Sequence, residues 1–314
     1  MARQGLQRGF AQGILQGVKT GFGMAGQRTG FVGGITDGTA NMDKLQDPVL
    51  LASARNHCPF FFWNADNVTL SGLNVTAVDN LLNTFNPLTQ NTESSLTIIS
   101  DPAFVARAVS NNRAAIAFDT NDAFSTNNAA VPNMSTTSAM TLMLVCKPVA
   151  TARSILFWKK DLQSDPPFSN TLGDFEVEFD GTNIDITLVG STNPTLEQAT
   201  YRAIDPRIKN NWILLTVKAR LSEPTGAGSC LDLFINGTRN KNLVSDNIVS
   251  LPEIAIDTWE NAYINFGNNG SSSSPGTRGG NNQIAAGLII EDWINESQQI
   301  RLENYFRDYY GIKF

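Results

Sequence analysis

Asp174-Phe-Glu-Val-Glu-Phe-Asp180 alternates strictly between acidic and apolar residues, and Gly181 separates it from a second apolar run at 184–189. A period of two puts Phe175, Val177 and Phe179 on one face of a strand, with Asp174, Glu176, Glu178 and Asp180 on the other. Asp180-Gly181 is a tight-turn signal, so the two runs read as an antiparallel hairpin. Apolar runs of strand length recur on both sides, at 114–118, 140–145, 155–158, 212–219, 231–235, 262–266 and 284–290. The run at 231–235 ends in Asn236-Gly237, a second hairpin turn. Many short strands joined by turn chemistry predict a mainly β chain, an antiparallel sandwich or jelly roll.

The remaining segments are less regular. Cys58-Pro-Phe-Phe-Phe-Trp63 reads as a strand, 70–85 as a hairpin or a short helix, and 101–109 as helical. Residues 267–282 are dominated by Asn, Gly and Ser and read as a long surface loop. One helix is expected, at the C-terminal end. Asn295 and Gln298 have the spacing of a capping box. Leu302, Tyr305, Phe306 and Tyr309 form an i, i+3, i+4, i+7 stripe, and Gly311 supplies the C-cap.

Composition narrows the function classes. The 314 residues carry 23 basic and 29 acidic side chains, a formal charge of −6. Arg3, Arg8, Lys19 and Arg28 are the only charged residues before Asp37. Removing those four from the 23 basic residues leaves 19 against 29 acidic ones, or −10 for the remainder. A cationic arm on an acidic body is drawn to acidic surfaces, whereas the body itself makes a poor partner for nucleic acid. No apolar run reaches the ~20 residues of a membrane span, and no secretory h-region develops near the N-terminus. The expected setting is therefore a cytoplasm. Three scattered cysteines, Cys58, Cys146 and Cys230, form neither a disulfide framework nor a zinc site. Cys146 and Cys230 read as small core residues.

The arm has its own pattern. Gly5, Gly9, Gly13, Gly17 and Gly21 fall at every fourth position, each followed by an apolar residue: Leu6, Phe10, Ile14, Val18 and Phe22. Each interior glycine costs a helix roughly 1 kcal/mol relative to alanine. In exchange the ladder offers a stripe where another backbone can approach closely. Helical or extended, residues 1–44 read as an assembly arm, and residues 45–314 as one large domain. Arg3, Arg8 and Lys19 add electrostatic attraction to the docking stripe.

Read in order, Phe61-Phe-Trp-Asn-Ala-Asp66, Ile116-Ala-Phe-Asp119, 140–148, Leu231-Asp-Leu-Phe-Ile-Asn-Gly237 and the ending from Gly287 to Ile312 resemble the concanavalin A-like (laminin G-like) jelly-roll family. In particular they resemble the version found in phage virion proteins. The glycine ladder lies outside the resemblance. The family implies two stacked sheets, one of them concave, serving adhesion or glycan binding. In phages it implies head decorations, head fibres or tail fibres, assembled in the host cytoplasm. The expectation is a non-enzymatic virion protein and homo-oligomer, whose arm docks on capsid, portal or tail subunits and whose body meets host-surface glycan.

Candidate chemistry is sparse. Some glucanases of this fold carry alternating acids on a concave strand, in a Glu-x-Asp-x-Glu type pattern. Here Glu178 stands at the central Asp position and Asp180 at the last Glu position. A retaining glycosidase using these acids is the alternative function, since alternate residues of a strand share a face about 6.5–7 Å apart. The bland reading is a solvated strand face opposite an apolar stripe. Asp174, Glu176 and Glu178, with Trp259 between Asp257 and Glu260, are the candidate glycan contacts. Trp63, Trp158, Trp212 and Trp293 are also potential sugar-stacking surfaces, but most of the tryptophans sit in apolar strands and core packing is the default for each. His57 is the only histidine, and neither a nucleophile elbow nor a phosphate-binding glycine loop is present. Asp119 and Asp122 make no defensible calcium ligand set. No cofactor or metal is expected.

Overall fold

The computed structural model describes residues 59–81, 95–99, 102–119, 122–125, 139–149, 154–161, 175–189, 198–220, 231–240, 243–246, 262–267, 282–290 and 292–313. The proposed arm at 1–44, the 44/45 boundary and the loop at 268–281 lie outside them. The strands are β1 (Pro59–Asn64), β2 (Val68–Ser71), β3 (Asn74–Asp79), β4 (Ser95–Ile99), β5 (Ala103–Val109), β6 (Arg113–Phe118), β7 (Ala123–Ser125), β8 (Ala139–Lys147) and β9 (Ser154–Asp161). They continue as β10 (Phe175–Phe179), β11 (Ile184–Val189), β12 (Gln198–Ala203), β13 (Ile213–Arg220), β14 (Leu231–Ile235), β15 (Thr238–Arg239), β16 (Leu243–Asp246), β17 (Ala262–Gly267) and β18 (Asn282–Ile290). Among the described residues there is one α-helix, α1 (Glu296–Tyr310), which follows β18.

All the strand pairs are antiparallel, and they make two sheets. The first runs β15-β14-β13-β8-β18. The far edge of β18 is shared end to end by β1 and β6, and β5, β3 and β2 follow β6. The second sheet runs β16-β12-β11-β10-β9-β17-β7-β4. Strand β4 pairs with β3 of the first sheet through Ser95 and Leu96, and with β7 of the second through Thr97 to Ile99. It therefore curls one sheet into the other along that side. This is the mainly β, antiparallel jelly-roll sandwich that the strand pattern predicts.

Alternation fills the space between the sheets. Met140, Leu142, Leu144 and Cys146 of β8 face Phe175, Val177 and Phe179 of β10 across one core, all without solvent exposure. At its centre Trp63 meets Phe124 and Phe266 edge-on, with ring centroids 5.1 and 5.5 Å apart. Phe118 meets Phe124 at 4.9 Å, and Phe157 meets Phe266 at 5.4 Å. Edge-to-face pairs of this kind add about 0.5–1.5 kcal/mol each beyond area burial. Trp63 and Cys146 are thus core residues, as expected, and burial pushes the Cys146 thiol up and keeps it inert.

Two segments resolve the irregular region. Residues 70–79 belong to a hairpin, β2–β3, turning at Gly72, which has φ +65°. Residues 103–109 are a strand, correcting the helical expectation for 101–109. Pairing of Ala103, Phe104 and Val105 with Ala117, Ile116 and Ala115 outweighs the helix propensity of this alanine-containing run. A register shift then follows between Val105 and Val109, and Arg107 within it has φ +53°.

Helix α1 forms as its signals predict. The Asn295 side chain accepts from the Gln298 amide at 3.0 Å, and the Gln298 side chain accepts from the Asn295 amide at 3.0 Å. Gly311 takes the left-handed C-cap conformation, φ +66°, and its amide donates to the Arg307 carbonyl. Leu302, Tyr305, Phe306, Tyr309 and Tyr310 are buried against the outer face of the first sheet, where Phe62 meets Tyr305 and Phe306 edge-on. The C-terminal carbonyls of the helix are satisfied from outside: Asn111 Nδ2 donates to Asp308 and Arg113 Nε to Tyr309. The Arg113 guanidinium also lies 3.8 Å over the Tyr309 ring, whose hydroxyl donates to Asp66. The end of the helix is thereby latched to β6 and to the turn after β1.

Candidate functional site

The acidic strand singled out from the sequence is β10. It is an interior strand, paired in continuous register with β11 and paired with β9 across one register shift between Val177 and Glu178. Glu176 stands opposite Thr187 and Glu178 opposite Asp185. These four side chains share the face turned away from the core, yet each is only 1–2 % exposed. The solvated face expected for this strand is thus corrected: neighbours on both sides crowd a central strand, and its carboxylates are buried.

The charges on this face are organised around Arg202 of β12. Its Nε and Nη2 donate to the two carboxylate oxygens of Asp185, both at 2.8 Å, a bidentate clamp. Asp180 at the hairpin turn lies 3.7 Å from the same guanidinium. Partial burial pushes the Asp180 carboxyl up. Amide donation from Asn183 and Thr182, the Asn183 side chain and Arg202 outweigh that and hold it below the usual carboxylate range. Asp180 therefore works as a turn cap, gripping the chain that reverses from β10 into β11.

A second polar cluster, which no sequence pattern announced, lies between α1 and the outer face of the first sheet. Glu303 is buried and accepts from Thr216 Oγ1 at 3.1 Å and Gln299 Nε2 at 2.9 Å. Lys218, two residues along β13 from Thr216, is 5 % exposed. Its amine donates to the Ile294 carbonyl at 3.4 Å, and lies 4.8 Å from the Trp293 ring centre and 5.4 Å from that of Phe234. Burial pushes the Lys218 amine below the usual ammonium range, against the pull of Asp232 and Glu303. Burial pushes the Glu303 carboxyl up, against its two hydrogen bonds and Lys218. The available signal was Gln299 and Glu303, four apart on the buried stripe of α1 beside Leu302 and Phe306.

The other candidates divide plainly. The core expectation is corrected for Trp212 and Trp293, both half-buried: the Trp212 indole donates to the Ala108 carbonyl at 2.9 Å, and Trp293 covers Lys218. Asp122 accepts from the Asp119 amide at 3.1 Å, a local turn contact. Asp174, Trp259, His57, Cys58, Cys230 and the arm residues Arg3 to Phe22 lie outside the described residues. Among the described residues, no helix is long and apolar enough to cross a membrane. No group of three His, Cys, Asp or Glu side chains among them could hold a metal ion.

No family model and no curated protein matches the chain. Among solved structures, it is similar to the binding domain of botulinum neurotoxin serotype D, at 10% identity and a TM-score of 0.48, over 78% of this chain and 51% of that one. The serotype G binding domain gives 14% identity and a TM-score of 0.45, over 80% and 51%. A Trypanosoma rangeli sialidase gives 11% and 0.45, over 80% and 33%. The chain spans about half the length of these toxin domains.

Proposed function

We propose that this chain is a non-enzymatic virion structural protein, held in the particle by its N-terminal arm and displaying the sandwich outward. The observation that carries the non-enzymatic half is the burial of Glu176 and Glu178, each 1 % exposed on an interior strand beside the Asp185–Arg202 clamp. A retaining glycosidase needs its two carboxyls open to a sugar ring held between them. Buried carboxylates on a clamped strand serve the sheet instead. The assembly half rests on the glycine ladder, Gly5 to Gly21, with its apolar and cationic neighbours. Adhesion to a host-surface glycan is the use proposed for the displayed body. It rests on resemblance, and a fold does not itself specify a ligand.

The test of the non-enzymatic half is a hydrolysis assay on the full chain against a panel of β-glucans and bacterial surface polysaccharides. The expected result is no release of reducing ends above buffer. Turnover that disappears in both Glu176→Gln and Glu178→Gln, with the fold retained by circular dichroism, would overturn it.

A further inference from the structure

We propose that the outer face of the first sheet carries a binding row for an extended acidic polysaccharide, formed by Asn74, Ala103, Ala117, Gln283, Lys147 and Trp212. The inference rests on the adhesion reading above and gives it a surface. Strand register sets the row. Asn74 of β3 stands opposite Ala103 of β5, Ala103 opposite Ala117 of β6, and Ala117 opposite Gln283 of β18. Gln283 in turn stands opposite Lys147 of β8. Ile213 of β13 pairs with Cys146, so Trp212, one residue before it, comes level with Lys147. Crossing from β3 to β13 at the usual strand spacing makes a line about 24 Å long.

Every member takes the outward face, because its neighbour in sequence packs into the core: Val75, Phe104, Ile116, Ile284, Cys146 and Ile213. Asn74 and Ala103 are exposed, and the other four are half-buried. The adjoining outward positions differ. Leu214, Val145 and Ala285 have no exposure. There the Tyr310 hydroxyl of α1 donates to the Ala285 carbonyl at 3.1 Å. The β5–β6 hairpin reaches the end of the row itself, where the Trp212 indole donates to Ala108. The open part of the face therefore begins at the row, with helix and hairpin as a bank along one side.

The chemistry of the row fits a glycan. Two alanines leave a flat floor that a sugar ring approaches closely, and Gln283 and Asn74 place amide donors and acceptors on either side of it. Trp212 ends the line with an indole whose N–H is already satisfied, leaving its ring for the apolar face of a sugar. Lys147 is the one charged member, and among the described residues it has no ion pair. Lys209 and Arg107 are exposed beside Trp212, Lys209 in a loop tied to the end of β8 by the Asn210 amide and the Pro148 carbonyl at 2.8 Å. Asp205 of that loop is taken by Arg207. On a chain of net charge −6, such a local excess of cations selects where an acidic ligand can settle. Nucleic acid would need a longer run of phosphate-binding cations than this row supplies.

The test is isothermal titration of the purified full chain with oligomers of galacturonate, mannuronate and sialic acid, and with maltohexaose as the neutral counterpart. Binding to an acidic oligomer, weakened by added salt, is the expected result. Lys147→Gln should weaken it about tenfold, the share of one charge-assisted contact. Ala103→Glu lies at an exposed position that leaves the core untouched, and should abolish binding by filling the floor and repelling the ligand. Ile300→Ala, on the exposed face of α1, should bind as the parent chain does. Acidic-oligomer binding that survives both row substitutions unchanged overturns the row and leaves adhesion standing. Binding to maltohexaose alone overturns the acidic ligand and also leaves adhesion standing. Binding to none of the oligomers overturns the row and the adhesion reading together.

Discussion

Phe306→Ala should lower the unfolding free energy by about 3–5 kcal/mol, the range for truncating a buried phenylalanine. Phe306 has no solvent exposure and sits at the centre of the α1 stripe. It meets Phe62 of β1 edge-on at 6.1 Å, meets Tyr305 at 5.1 Å, and stacks with Tyr310 at 6.3 Å. The size of the loss depends on whether the helix can sink into the space left behind. Both ends resist that movement: the Asn295–Gln298 capping box holds one, and Asn111, Arg113 and Asp66 hold the other. The cavity should therefore persist. Urea unfolding followed by near-ultraviolet circular dichroism checks this, with Ile300→Ala on the exposed face of α1 as the control. The control should move stability by less than about 0.5 kcal/mol. A loss below about 1 kcal/mol for Phe306→Ala would mean that α1 is not part of the cooperative core.

Gly287→Ala should be comparably damaging, although it adds only one methyl group. Gly287 lies in β18 between β8 and β1, opposite Leu144 and Trp63. A Cβ built there would overlap Phe266 Cε1 and lie 2.6 Å from Trp63 Nε1. Neither ring can retreat. Trp63 and Phe266 have no exposure and pack edge-on against each other and against Phe124 and Phe157. Overpacking of this kind costs about 1–3 kcal/mol, and more where the backbone must shift. The upper end is expected, because the backbone here is paired on both edges. Thermal unfolding of the variant reads the effect directly, and an unchanged midpoint would show that the aromatic cluster has slack.

Those two positions also show what the sequence could and could not reveal. The stripe Leu302–Tyr305–Phe306–Tyr309 and both caps of α1 were legible, because helix signals are local and periodic. The β10–β11 hairpin was legible for the same reason: Phe175, Val177 and Phe179 alternate, and Asp180-Gly181 turns. The stretch 101–109 misled, since Ala103, Ala106 and Ala108 weaken the two-residue period and only pairing with β6 decides its state. The burial of Glu176 and Glu178 was hidden because alternation tells which face a residue takes, not what crowds that face. Gly287 looked like any glycine in a strand until Trp63 and Phe266 were brought around it. The Thr216–Glu303 contact and Lys218 beside it join a strand and a helix far apart in the chain, so no window of sequence contains them.

Assembly through the arm is the central functional claim, and solution mass by light scattering tests it most directly. The full chain should be compared with one lacking residues 1–40, with circular dichroism confirming that the shorter chain keeps its β structure. Arm-driven assembly predicts a homo-oligomer for the full chain and a folded monomer for the truncated one. The same association state for both chains would contradict it, and would move the contacts from the glycine ladder to another surface.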